Sequence, residues 1–403
     1  MEFARAAAPR LRELASLFPV LVLTGARQSG KTTLLRACFP EHRYVSLDLP
    51  SLAEEAERNP EAFLAANPPP LLVDEVQYAP GLLRHLKSLV DRDRDAMGRI
   101  VLTGSQSFPL MKGVAESLAG RCVWQVLENL SLAEIAARRT LAPGPADWPG
   151  LVARGLFPEL WKRPELPRRE FLSSYVATYL ERDVRQILNV GSLRDFERFL
   201  RLLALRSGNL LNKSDVARDT GISVKAAGDW LSVLEASSQI VLLEPWFENL
   251  GKRVVKTPKV YVQDPGLLAF LLGLDEASLG SSPLRGAVWE SFVFAELRKR
   301  NEASRRPGKF WFFRDQGGRE VDFLLERGGV LELIEAKWGE GPSEGEGLSI
   351  AAVSEALGRH SATSRAGGRW IVSRTASPYP LPDGTRVVNP LGLGEIVDGG
   401  AGA

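Results

Sequence analysis

The sequence predicts an α/β protein of several domains, and three stretches predict it. An apolar, β-branched run from Val20 to Thr24 leads into Gly25-Ala26-Arg27-Gln28-Ser29-Gly30-Lys31-Thr32, and a helical pattern follows from Thr33. Leu71-Leu72-Val73 then runs into the acids Asp74-Glu75, at a distance downstream that suits an α/β crossover. Far along the chain, two alternating runs meet at Gly328-Gly329 and carry Asp322, Glu335 and Lys337.

Bulk properties set the frame. A chain of 403 residues, 44% hydrophobic and 25% charged, has the composition of ordinary globular domains and the length for two or three of them. The formal net charge of +2 excludes a globally basic nucleic-acid binder, so any basic surface must be local. Cys38 and Cys122 stand far apart in no metal-ligand spacing, which excludes a zinc cluster or disulfide framework and leads us to expect a cytoplasmic protein. The arginine-bearing stretch Met1 to Arg12 reads as a helix rather than a leader peptide, and no apolar run approaches membrane-spanning length. No internal repeat is visible.

The first stretch matches G-x-x-x-x-G-K-[ST] in the strand–turn–helix context that the motif requires. Its glycines let backbone N–H groups wrap a phosphate, and the following helix dipole favours negative charge there. The expected binding set for ATP is therefore Gly25, Ala26, Arg27, Gln28, Ser29, Gly30, Lys31, Thr32 and Thr33. Lys31 reaches the β- and γ-phosphates, and Thr32 ligates Mg²⁺ together with Asp74. Glu75 is the expected general base toward water. The run Arg99 to Ser105 reads as a buried strand with a polar tip, where Ser105, or failing that Thr103, would sense the γ-phosphate; an ordinary strand-end turn remains the plain alternative. Arg121 precedes the strand-like run Cys122 to Leu127 and is either an arginine that reaches a neighbouring subunit's nucleotide or a solvated surface group.

These residues carry a resemblance. Leu23 to Thr32, Leu72 to Gln77, Leu102 to Ser105 and Leu118 to Arg121 resemble the AAA+-type ATPase domain of a bacterial and archaeal family with a C-terminal domain of unknown function. The likeness continues through Tyr179 to Val184, which contains Arg182, and through Lys259 to Leu267. It implies an ATPase that works as a homo-oligomer, a hexameric ring by analogy. Leu127 to Ser131 departs from the family's proline-containing form, and no second sensor is evident. We expect an ATPase domain over residues 1–145, a helical and winged-helix module over 146–272, and a nuclease-like domain over 273–403.

Between the motifs, Arg43 to Asp48 reads as a strand and Leu52 to Ala66 as one helical stretch. Leu82 to Val90 is amphipathic, and Pro143-Gly144-Pro145 marks a domain boundary. Phe171 to Leu188 and Leu193 to Arg206 read as helices whose interleaved charges are mostly solvated. Asp215 to Thr220, a turn at Gly221 and a second helix from the Ser223 cap to Leu234 form a helix-turn-helix pattern. Ile240 to Leu243 and Lys259 to Val262 could supply its wing strands. The second helix offers Lys225 and Asp229 but few groups for reading bases, so sequence-independent DNA contact and protein packing are equally open.

The hairpin around Gly328-Gly329 sets Asp322 opposite Glu335 and Glu320 opposite Lys337, with Asp322, Glu335 and Lys337 on one face. Opposed carboxylates destabilise a hairpin unless neutralised, and a divalent cation, Mg²⁺ or Mn²⁺, would do so. Lys337 beside it could orient or deprotonate a water. This arrangement resembles the PD-(D/E)xK nuclease superfamily, which implies a third acid from a preceding helix, here Glu290 with Glu296 behind it. An exposed acid–base ladder and a nuclease fold without activity stay open. Arg369 to Ser373 and Arg386 to Val388 are the remaining strand candidates, Glu340 to Gly347 a flexible loop and Asp398 to Ala403 a disordered tail. DNA is the partner these modules share. The functional expectation is an ATP-driven DNA motor coupled to a metal-dependent nuclease, against a nucleotide-controlled DNA-binding or defence ATPase and a protein-remodelling ATPase.

Overall fold

The computed structural model describes residues 3–104, 117–139, 141, 143–180, 193–246, 257–304, 306–315, 317–360 and 364–398. The chain divides into two compact units.

In the first unit, β1 (Val20–Thr24), β2 (Arg43–Ser46), β3 (Leu71–Asp74), β4 (Ile100–Gly104) and β5 (Cys122–Val126) form one parallel sheet in the order β2-β3-β4-β1-β5. Strand alternation distributes its side chains between two layers. Val20, Val22, Val73 and Leu102 pack with the helix Leu82–Arg92, while Leu21, Leu23, Leu72 and Val101 pack with the helices Ala8–Ala15 and Lys31–Cys38. Both faces are covered, which is why these strands read as continuous apolar runs. The stretch Leu52 to Ala66, expected as one helix, is two: Pro50–Arg58 and Pro60–Ala66. Pro60 cannot donate an amide to a continuing helix, and Asn59 instead accepts from Ala62 N–H at 3.3 Å to start the second.

In the second unit, β6 (Asn209–Leu210), β7 (Ile240–Leu243) and β8 (Lys259–Val262) form an antiparallel sheet with β8 in the centre. Ahead of β7 stand the helices Lys213–Thr220 and Val224–Ala236. Asn212 caps the first at Ser214 N–H (2.9 Å), Gly221 ends it with φ +85°, and Ser223 caps the second at Ala226 N–H (3.1 Å). The larger sheet contains β9 (Lys309–Arg314), β10 (Glu320–Arg327), β11 (Val330–Ala336), β12 (Arg365–Val372), β13 (Tyr379–Pro380) and β14 (Arg386–Val388), ordered β13-β14-β12-β11-β10-β9. Gly328 (φ +54°) and Gly329 (φ +77°) close the two-residue β10–β11 turn, and Arg327 pairs with Val330 as expected. The segment Glu340 to Gly347 is no free loop, since a helix starts at Glu344 and runs to His360. Asp398 pairs with Arg300. Of the stretch Phe171 to Leu188, a helix covers Arg168–Tyr175 and a single wider turn covers Val176–Leu180; Arg182 and Arg185 lie outside the described residues.

The helix Arg285–Ala303 is buried on nearly every side. Its Phe294 stacks on Phe323 of β10 (5.0 Å between centroids) and packs against Tyr261 of β8 (4.7 Å). This packing anchors the helix against both sheets of the unit.

Candidate functional site

Parallel strands end on the same edge, so the loop after β1 and the acids after β3 are neighbours of the end of β4. Gly25 (φ +139°) lies so close to the chain after β5 that an added Cβ would stand 2.1 Å from Leu127 O. Gly30 has φ +91° and opens the helix Lys31–Cys38. Only glycine meets both demands without strain. Lys31 is buried and donates to Gly25 O and Ala26 O, each at 2.9 Å. Thr32 Oγ1 donates to Asp74 Oδ2 at 2.7 Å, which brings the two expected Mg²⁺ ligands together. Ser29 Oγ is buried with no hydrogen-bond partner among the described residues. The glycine cradle, this orphan hydroxyl and the hard-oxygen pair fit a triphosphate and Mg²⁺. When bound, Mg²⁺ neutralises phosphate charge; the chain itself supplies the Lys31 ammonium, the loop amides and the Thr32–Asp74 pair.

Glu75 adopts a left-handed conformation (φ +53°) and accepts a hydrogen bond from Gln77 Nε2. For a non-glycine residue this conformation is strained, and such strain concentrates at functional positions. Ser105 lies outside the described residues. Thr103, the second choice, pairs in register with Leu23, and its buried Oγ1 has no partner among the described residues. Arg121 is not brought to this site. It precedes β5 at the opposite end of the parallel strands, accepts Val20 N–H through its carbonyl, and holds Asp91 bidentately at 2.8 and 3.0 Å. That bond keeps the Asp91 carboxyl below its usual range.

Two contacts here escaped the sequence reading. Tyr44 of β2 donates to Asp74 Oδ2 at 3.0 Å; burial and the charge of Asp74 push its phenol up to about 12. Arg5 donates to Ser29 O (2.7 Å) and Glu128 O (2.6 Å), tying the phosphate loop to the segment after β5. Neither residue carries a motif, and both act through folds of the chain that join distant segments.

The hairpin in the second unit meets the expected register, for Phe323 pairs with Ile334, and one further step sets Asp322 opposite Glu335. A bulge between Val321 and Leu324, against β9, places Asp322 where the ladder is interrupted. Asp322 Oδ2 accepts Ala336 N–H at 2.9 Å, Glu335 Oε2 accepts Asp322 N–H at 3.4 Å, and Glu335 Oε1 accepts Lys337 Nζ at 2.7 Å. Glu320 does not meet Lys337. It bonds Lys259 Nζ at 2.6 Å and faces Arg314 at 3.4 Å.

Lys259 is the residue that the sequence reading missed. On the central strand β8, period two sets Lys259 and Tyr261 on one face, and both reach Glu290 of the helix Arg285–Ala303. Tyr261 OH donates to Glu290 Oε1 at 2.6 Å, and Lys259 Nζ lies 3.1 Å from Glu290 Oε1 and 3.7 Å from Asp322 Oδ1. The Lys259 side chain is only 2% exposed. Burial works against its charge, but Glu290, Asp322 and Glu320 together hold its pKa above the usual lysine range. Burial and the charge of Asp322 push Glu290 up to about 7 and Glu335 up to about 8.

Among the described residues no three His, Cys, Asp or Glu side chains are placed to hold a metal ion. The expected metal set Glu290, Asp322 and Glu335 is thus not assembled, because an ammonium stands among the acids and Glu335 turns to Lys337. Glu296, the reserve acid, is elsewhere: it accepts Leu132 N–H at 2.8 Å and Lys299 Nζ at 3.1 Å. The detectable signal for Lys259 was a lysine in phase with an aromatic inside a short strand pattern.

A family model described as an AAA domain matches residues 17–136, and two domains of unknown function, DUF8612 and DUF4143, match residues 146–278 and 285–392. The uncharacterized protein Rv2008c of Mycobacterium tuberculosis is 32% identical over 388 residues, 93% of this chain and 83% of that protein. The uncharacterized protein MJ1544 of Methanocaldococcus jannaschii is 24% identical over 336 residues, covering 76% of this chain and 72% of its own. The solved Walker-type ATPase PABY2304 of Pyrococcus abyssi is 18% identical, with a TM-score of 0.45 over 66% of this chain and 94% of that one. No described helix is long and apolar enough to cross a membrane. The chain belongs to the family of Rv2008c, and its N-terminal part is an AAA-type P-loop ATPase domain, a fold that binds nucleotide and usually Mg²⁺.

Proposed function

We propose that this chain is an ATP-hydrolysing, DNA-processing protein that works as a homo-oligomer. An ATPase domain (1–145) acts through a winged-helix-like module (146–272) on DNA held against a restriction-endonuclease-like domain (273–403). The observation that carries the DNA reading is the cluster of Asp322, Glu335 and Lys337 at a bulged strand, joined by Glu290 through Lys259. The capped helix pair around Gly221 supports it. With few base-reading groups on the second helix, contact runs to phosphates and is independent of sequence.

Two forms of this reading exist. In one, the motor feeds duplex or branched DNA to a Mg²⁺- or Mn²⁺-dependent nuclease; in the other, a nucleotide-controlled ATPase binds DNA through a nuclease-like domain that does not cut. The Lys259 ammonium beside Asp322 favours the second. The test is ATP turnover with and without linear and four-way-junction DNA. Stimulation by DNA is expected, and turnover indifferent to DNA would sink the DNA reading in favour of a protein substrate.

A further inference from the structure

We infer that Lys259 is the resident cation of the endonuclease-like site, standing where a divalent metal would otherwise neutralise Asp322 and its neighbours. The inference rests on reading residues 273–403 as endonuclease-like. Its warrant is geometric. A buried ammonium is tolerated only when paired and hydrogen-bonded, and Lys259 has Glu320 at 2.6 Å, Glu290 at 3.1 Å and Asp322 at 3.7 Å. The ring of Phe312 adds a face 5.6 Å away.

The four oxygens of the opposed acids are each engaged. Asp322 Oδ1 faces Lys259, Asp322 Oδ2 takes Ala336 N–H, Glu335 Oε1 takes Lys337, and Glu335 Oε2 takes Asp322 N–H. A hard divalent ion needs several such oxygens at once. It would also stand close to a fixed ammonium in a water-poor site, where like charges repel strongly. Lys259 cannot swing out to make room, because it begins the central strand β8 and is covered by both sheets of its unit. An ammonium has three donors and no empty coordination position, so it neutralises the acids without activating water. The domain therefore keeps the acidic shape of a nuclease centre and fixes it as structure.

The experiment is Mn²⁺ titration of the nucleotide-free full chain, read by the electron-paramagnetic signal of free Mn²⁺. Wild type is expected to hold no more Mn²⁺ than Asp322→Asn. An excess of about one equivalent in wild type, lost in Asp322→Asn, would overturn the inference. Lys259→Met, checked by circular dichroism, is expected to gain about one equivalent that Lys259→Met/Asp322→Asn lacks. A folded Lys259→Met that gains none would also overturn it; if that variant fails to fold, the wild-type comparison still decides. The two failures are separable, since one is read as free Mn²⁺ in the absence of DNA and nucleotide and the other as ATP turnover with and without DNA.

Discussion

Thr32 Oγ1 and Asp74 Oδ2, forty-two residues apart, meet at 2.7 Å. This bond joins the phosphate loop to the acid strand and brings together the two side chains expected to hold the hard cation of a bound nucleotide. Lys31 lies one residue before it, held by two loop carbonyls. Lys31→Ala should therefore abolish ATP turnover, a loss of at least about 10²-fold, with the far-ultraviolet circular dichroism spectrum unchanged. Normal turnover in that variant would refute the phosphate-loop assignment.

Glu75 sits at the edge of the same site in a strained backbone conformation. Glu75→Gln should still bind ATP but hydrolyse it about 10²- to 10³-fold more slowly, as expected on removing a general base. Nucleotide affinity and single-turnover rate measured together check this; fast hydrolysis would point to another base.

Tyr44 is a smaller contributor. Tyr44→Phe removes one hydrogen bond to Asp74, worth about 1 kcal/mol, so the Mg²⁺ concentration for half-maximal turnover should shift by no more than about tenfold. A larger loss would mean that the phenol touches the nucleotide itself.

Arg121 is engaged by Asp91 at the far end of the sheet. Arg121→Ala should leave ATP turnover within about twofold of wild type, whereas an arginine finger is worth about 10³-fold or more. A collapse of turnover at unchanged stability would instead make it a finger acting on a neighbouring subunit.

Glu296 gives a pH signature. Burial raises its pKa in the folded chain, so the proton favours folding. Its contribution is fully favourable below the unfolded value of about 4.3 and is lost as pH rises through the raised folded value. Glu296→Gln keeps an acceptor for Leu132 N–H, and its urea midpoint relative to wild type should rise between pH 4 and pH 8. A difference independent of pH would mean that the buried carboxyl is not the titrating group.

The first site was legible because its chemistry is local. Gly25 to Thr32 must be contiguous to wrap a phosphate, and Asp74-Glu75 must end a strand, so spacing and periodicity exposed both. The hairpin register was legible for a similar reason, since two glycines at positive φ leave one pairing of the flanking strands. The division of Leu52 to Ala66 was readable at Asn59-Pro60, where the missing amide outweighs helical periodicity.

By itself the sequence determined the parallel-sheet ATPase core, the glycine cradle and the pairing of Asp322 with Glu335, because each follows from backbone rules acting over a few residues. Tertiary structure alone decided which cation meets the acids. Lys259, Glu290 and Glu320 come from a strand of one sheet, a helix and a strand of another sheet, and no period in the chain relates them. Coulomb attraction in a water-poor interior selects such a group only after packing has brought it within reach, as the contacts of Phe294 with Phe323 and Tyr261 do here.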